Sequence, residues 1–135
     1  MLVTDTNILV RCSRGRAMAR VAALRARGVR LATTDRNAAE LLAVLTGKLG
    51  VEEDEAVAET VRVLAPFEIV FGAEYEPYRD GASDRLREGG KSDWPALAAA
   101  LALESDIWSE DADYFGVGVP VWSTANLRFV EADVG

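Results

Sequence analysis

KSDWPALAAALALESDIWSEDADYF, residues 91–115, carries an acid at the mouth of a helix, then the helix, a short strand, and more acids just beyond it. Ser92 is the expected N-cap, since its hydroxyl can accept from a first-turn N–H. Pro95 falls in the first turn, where a missing N–H costs nothing. Ala96 to Leu103 is almost purely Ala and Leu, so this helix is expected to be buried on most sides. Ser105-Asp106 interrupts it, and the apolar pair Ile107-Trp108 reads as a short core strand. Ser109 to Asp113 follows where that strand opens onto a loop. The helix returns the chain to the side it started from. Asp93 and the Asp111/Asp113 pair can therefore meet at one sheet edge, and carboxylates gathered in this way usually need a cation.

The flanking sequence repeats the alternation. Leu2-Val3-Thr4 is a first strand ending at the polar Asp5-Thr6-Asn7. Ile8 to Arg11 leads into an Arg-rich helix from about Ser13 to Arg27, with Met18, Val21 and Leu24 on its apolar stripe and Gly28 stopping it. Val29 to Ala32 is a second strand. Thr33-Thr34-Asp35 supplies cap chemistry for a helix to about Thr46, closed by Gly47, with Ala38, Leu41, Leu42 and Leu45 inward. Glu52 to Glu55 places negative charge at the start of the next helix, whose expected inner face is Val57, Val61 and Leu64. Phe67 to Phe71 is a third strand, and Glu74 to about Glu88 a weaker, polar helix. After the central stretch, Val119 to Trp122 is a fifth strand, with Pro120 favouring an edge position. Ser123 to Asn126 begins a last turn carrying Leu127 and Phe129.

Strands alternating with helices indicate an α/β fold with a parallel sheet covered on both faces. Ligands in such folds sit beyond the carboxyl ends of the strands, where strand order reverses. Asp5 after the first strand and Asp111 after the fourth both belong to that edge.

At 135 residues without linker or repeat, residues 1–135 are expected to form one domain. No apolar run is long enough to cross a membrane, and the first residues lack the pattern of a secretory leader. The single cysteine, Cys12, has no internal partner, so a reducing cytoplasm is the expected address. The absence of histidine excludes Ser-His and Cys-His nucleophile pairs, His-His ribonuclease chemistry and His-ligated zinc. With 22 acids, carboxylates holding a hard cation are the best chemical kit. Net charge is −7, which by itself argues weakly against nucleic acid. The charge is uneven, however: residues 1–36 carry eight arginines and two aspartates, and the remainder carries seven bases and 20 acids. A basic face beside an acidic pocket and a plainly solvated arginine face both fit.

Each acid alone has a simpler duty. Asp5 can cap the next turn, and Glu40 can emerge at the rim of its helix stripe. Asp93 can favour the helix dipole, and Asp111 and Asp113 can cap a turn. Glu110 is expected to face solvent. Together they weigh differently. At about 5 Å and an effective dielectric near 20, two like charges repel by roughly 3 kcal/mol, so four ionised groups call for a metal. Oxygen donors favour Mg²⁺ or Mn²⁺, and the matching chemistry is metal-assisted hydrolysis of a phosphodiester.

The segments VTDTNILV (3–10), NAAELL (37–42), SDWPALAAALAL (92–103) and IWSEDADYFGVGVPVW (107–122) resemble PIN-domain proteins, the group that includes VapC-like toxins of toxin–antitoxin pairs. The resemblance covers essentially the whole chain. It implies a three-layer α/β/α sandwich with four or five parallel strands in order 3-2-1-4-5. It also implies a metal-dependent single-strand endoribonuclease leaving 5′-phosphate and 3′-hydroxyl ends. Carried over by position, Asp5, Glu40, Asp93 and Asp111 look like the catalytic, metal-binding quartet, with Asp113 as accessory. Thr6, Asn7 and Ser109 look like supporting groups that orient carboxylates. A cognate antitoxin and a homodimer are the implied partners. Arg11, Arg14 and Arg16 are candidates for gripping RNA phosphates, though plain surface arginines fit as well. A non-catalytic PIN-fold binding module is the alternative, as is an RNA-processing nuclease without an antitoxin. A phosphoacceptor receiver domain fits less well, because the third strand ends in Gly72 with no Asp. Residues 73–90, AEYEPYRDGASDRLREGG, are unusually polar for a region near a substrate path, and Asp80 and Asp84 have no assigned role.

Overall fold

The computed structural model describes residues 1–133. Five parallel strands form one sheet in the order β3-β2-β1-β4-β5. They are β1 (Leu2–Thr4), β2 (Leu31–Thr34), β3 (Glu68–Val70), β4 (Asp106–Trp108) and β5 (Val121–Trp122). β1 lies at the centre, with Val3 opposite Ala32 on one side and Ile107 on the other. Successive side chains of a strand point to opposite faces. Leu2, Leu31 and Trp108 accordingly enter one core, while Val3, Ala32 and Ile107 enter the other.

The first core is covered by α1 (Thr6–Ser13), α2 (Met18–Ala26), α3 (Asp35–Thr46) and α4 (Glu53–Leu64), through residues such as Leu9, Val21, Leu41 and Val63. The second is covered by α5 (Gly72–Tyr75), α6 (Arg79–Arg85) and α7 (Trp94–Leu103), through Tyr75, Ala82 and Leu97. α7 is the buried helix of the central stretch. Its residues from Trp94 to Ala100 are all buried, and it touches β1, β2 and β4 on one side and α5 and α6 on another. Alanines let the helix sit close to the sheet, and close seating fixes where both its ends lie.

Several boundaries differ from the sequence reading. The arginine-rich helix is two helices, because Arg14 to Ala17 leaves helical geometry between Ser13 and Met18. α1 starts at Thr6, capped by Asp5. β2 is Leu31–Thr34 rather than 29–32, since pairing with β1 and β3 decides the register. β3, β4 and β5 likewise hold only the residues that find ladder partners. The polar stretch after β3 is α5, a 3₁₀ turn at Glu76–Tyr78, and α6. α7 begins at Trp94 with Asp93 in the cap position, and Ser92 instead belongs to the preceding 3₁₀ turn, Glu88–Asp93. On α4 the buried residues are Ala56 and Val63, while Val57 and Val61 are exposed. Both stripes are apolar in sequence. The small Ala56 lets α4 approach α1 and α3, so the neighbouring stripe, one residue over, won.

Candidate metal centre

The carboxyl ends of β1 and β4 present the acids. Asp5 directly follows β1 and is buried. One of its oxygens accepts the N–H of Ile8 (3.2 Å) and the other the Ser109 hydroxyl (2.6 Å). Asp5 is therefore a helix cap, as its simpler duty demanded, and it also lines the cavity at the sheet edge. Ser109 follows β4 and accepts the N–H of Asp111 (2.9 Å), while Asp111 accepts the N–H of Asp113 (2.9 Å). One hydroxyl thus ties the acid after β1 to the acids after β4.

Glu40 comes from the second turn of α3. Its carboxylate accepts from Thr6 Oγ1 (2.7 Å), Thr6 accepts from Asn37 Nδ2 (2.9 Å), and Asn37 is held by Thr34, the N-cap of α3 (2.6 Å). Glu40 is exposed at the rim, yet this relay fixes its head. Asp93 reaches the edge because α7 places it there. Asp93, Asp111 and Asp113 each offer an oxygen within 4.8 Å of the others. Asp113, expected as an accessory acid, lies in this group, and Arg87 forms an ion pair with it. Gly90 makes room for Asp113: a Cβ there would stand 2.8 Å from its Cγ.

A cavity of about 200 Å³ opens between these groups, lined by Asp5, Thr6, Asn7, Asn37, Glu40, Val44, Lys48, Ser92, Asp93 and Tyr114. Its electrostatics are those of crowded acids. Burial raises the pKa of Asp5 against the pull of Ser109 and Ile8, and the charge of Asp111 adds to the rise. Burial pushes Asp93 from 3.8 to about 7, helped by the charge of Asp111, a hydrogen bond with Asp113, and the charges of Asp113 and Asp5. Tyr114, which lines the cavity with Asp5, Glu40 and Asp93, is raised by burial and by the charges of Asp5, Asp93, Asp111 and Glu40. Its hydroxyl donates to the Asp93 carbonyl (3.1 Å).

The oxygen-only donor set, its crowding, and the rise of Asp93 to about 7 all fit a hard divalent cation, which would relieve the repulsion. A family model of the PIN domain matches residues 3–131. The chain belongs to the PIN-domain family. The PIN domain is a nuclease fold, and the acids stand at the carboxyl edge of its sheet, where strand order reverses around β1. Among solved structures, a toxin–antitoxin complex from Klebsiella pneumoniae is similar, with a TM-score of 0.58 and 22% identity over 90% of this chain and 96% of that one. At that identity the likeness speaks for the PIN fold. A search of curated proteins finds no match.

Sequence reasoning did not single out Tyr114, Asn37 or Lys48. Asn37 stands inside the NAAELL motif, and a polar residue three positions after a Thr cap was the available signal. Tyr114 gave none, because an aromatic after a turn reads as core. None of Arg11, Arg14 and Arg16 lines the acid cavity. Arg11 lies near Glu110: despite burial, the Thr124 N–H and the charge of Arg11 hold Glu110 below its usual range. Arg14 and Arg16 follow the far end of α1, whose eight residues span about 12 Å from Asp5.

Proposed function

We propose that this PIN-domain protein is a Mg²⁺- or Mn²⁺-dependent single-strand endoribonuclease and the toxin of a toxin–antitoxin pair. The carrying observation is the convergence of Asp93, Asp111 and Asp113 within 4.8 Å, beside a cavity that Asp5 and Glu40 also line. Asp5, Glu40, Asp93 and Asp111 would hold the cation, because Asp113 already has Arg87 as its counter-charge. When bound, the metal supplies positive charge against phosphoryl oxygens and lowers the pKa of water at the site.

The chain's own residues prepare that chemistry. Ser109 orients Asp5 and steadies the backbone of Asp111, and Thr6 orients Glu40, so the ligands are set before a cation arrives. Burial and the neighbouring acids push Asp93 up to about 7, and a bound cation would favour its ionised form. Tyr114 closes the inner wall of the cavity. No step needs a neighbouring 2′-hydroxyl, and the products would be 5′-phosphate and 3′-hydroxyl ends.

The partner reading is supported by the fold neighbour, whose structure is a toxin–antitoxin complex. The family resemblance also makes a homodimer part of the proposal. The test is cleavage of a panel of single-stranded RNAs with Mn²⁺ by wild type, Asp5→Asn and Asp93→Asn. Equal activity in all three would sink the site assignment, and calorimetry showing no Mn²⁺ binding would favour a binding module instead. Co-purification with the product of an adjacent short reading frame tests the antitoxin.

A further inference from the structure

We propose that Arg36 and Arg79, docked on the indole of Trp94, form a clamp for the RNA backbone at the edge of the acid cavity; this rests on the ribonuclease reading above. Trp94 follows Asp93 directly and is buried at the mouth of α7. The Arg36 guanidinium carbon lies 5.1 Å from its ring centroid and that of Arg79 lies 4.6 Å away. The indole holds both heads by cation–π contact, while both side chains stay about half exposed (51% and 54%). A guanidinium seated on an aromatic ring can still turn N–H groups to an anion, here Glu76, in the fork geometry that phosphate also takes.

Their positions relate them to the acids. Arg36 sits one turn before Glu40 on α3, so the two share a helix stripe. Arg79 opens α6, in the polar segment after β3. Both are served by one carboxylate, Glu76, at 3.3 Å from Arg36 and 4.0 Å from Arg79. Two cations thus share one anion. Elsewhere the pattern differs: Arg30 and Arg62 each bond a glutamate of their own, Glu68 and Glu59.

Phe71 adds a second kind of contact. It is 60% exposed at the end of β3, and the N–H of the next residue, Gly72, bonds Asp35, the neighbour of Arg36 (3.3 Å). An exposed ring on a segment tied to the start of α3, where Arg36 stands, suits a single strand, which can stack a base on a ring and set phosphates on cations. A protein of net charge −7 with an acid-lined cavity repels a polyanion, so a local pair of cations just outside the carboxylates is what lets a strand approach.

The test measures binding of a fluorescein-labelled single-stranded RNA in EDTA across a salt series, and cleavage of the same RNA in Mn²⁺. Arg36→Ala and Arg79→Ala should each weaken binding on every sequence tried. Each should lower the slope of log K against log salt by about 0.7, and the double variant by about 1.4. In cleavage the double variant should raise KM with kcat nearly unchanged. Arg30→Ala is the control and should leave the slope alone. Should an alanine variant fail to fold, Glu76→Gln still decides. Removing the competing carboxylate should tighten RNA binding, by up to about fivefold, whereas a merely structural trio would lose stability with no gain in affinity. If the wild type neither binds nor cuts RNA, the ribonuclease reading falls and the clamp with it. If the wild type cuts RNA while the arginine variants keep slope and KM, the clamp alone falls, and the arginines serve a protein partner or only the fold.

Discussion

Asp93→Asn should make the metal-free protein more stable while abolishing its response to Mn²⁺. Asp93 occupies the cap position of α7 but makes no side-chain cap bond, so Asn loses no cap there. What the substitution removes is repulsion. At the 4.8 Å limit of the Asp93, Asp111 and Asp113 cluster, an ionised pair costs roughly 3.5 kcal/mol at an effective dielectric of 20. The rise of Asp93 from 3.8 to about 7 corresponds to at most about 4 kcal/mol, and solvent screening at a half-buried carboxylate leaves about 2 kcal/mol. The sign follows from the direction of the shift. Folding raises the pKa, so the folded protein binds the proton more tightly than the unfolded chain. Metal-free stability is then complete below about pH 4 and is lost as pH rises through about 7. In EDTA at pH 8, Asp93→Asn should therefore melt about 7 °C above wild type, and near pH 4 the two should coincide. Added Mn²⁺ should raise the wild-type Tm at pH 8 far more than at pH 5, and should scarcely move the variant. Thermal melts followed by circular dichroism at pH 4, 5, 6.5 and 8, with EDTA or Mn²⁺, measure all of this. A variant no more stable than wild type at pH 8 in EDTA, with an equal Mn²⁺ shift in both proteins, would refute the reasoning.

Gly90→Ala places a Cβ 2.8 Å from Asp113 Cγ, and should cost about 1–3 kcal/mol together with a weaker Mn²⁺ titration; an unchanged melt and titration would show that Asp113 yields freely. Ala99 is fully buried on α7, so Ala99→Leu should destabilise by about 1–3 kcal/mol and disturb Mn²⁺ binding, because this helix carries Asp93 on one end and leads to Asp111 beyond the other. Lost stability with full Mn²⁺ affinity would break that coupling. Burial pushes the Cys12 thiol up to about 11, so iodoacetamide should leave the native protein unmodified at pH 8 and label it only in denaturant; rapid native labelling, read by mass spectrometry, would contradict the packing of α1.

Local chemistry carried much of this structure. Alternating apolar runs and capped amphipathic segments implied the parallel sheet, and the resemblance supplied the order 3-2-1-4-5, which the structure has. The motif positions made one edge the expectation for Asp5, Glu40, Asp93 and Asp111; in the structure Asp5, Glu40 and Asp93 line one cavity, and Asp111 offers an oxygen within 4.8 Å of Asp93. Reading failed where two local choices were nearly equal in energy. Val57/Val61 and Ala56/Val63 are adjacent apolar stripes on one helix, and only the shape of α1 and α3 selects between them. Thr33 and Thr34 read as cap chemistry after the strand; Thr34 does cap α3, accepting the Asn37 N–H, but both also lie within β2, because their ladder partners are in β3.

The sequence alone carried the α/β fold and a donor set rich in carboxylates and without histidine, and the places of the acids at strand and helix ends made a shared edge the expectation. These follow from periodicity and composition, which act within a few residues. Only the tertiary structure decided which acids lie within 4.8 Å, that Arg87 pairs with Asp113 among them, and that Tyr114 lines one cavity with Asp5, Glu40 and Asp93. Only it brought Arg36 and Arg79 onto Trp94. Those contacts join separate elements of the chain. Their distances are set by how closely an alanine helix seats on a sheet, a quantity that no local pattern contains.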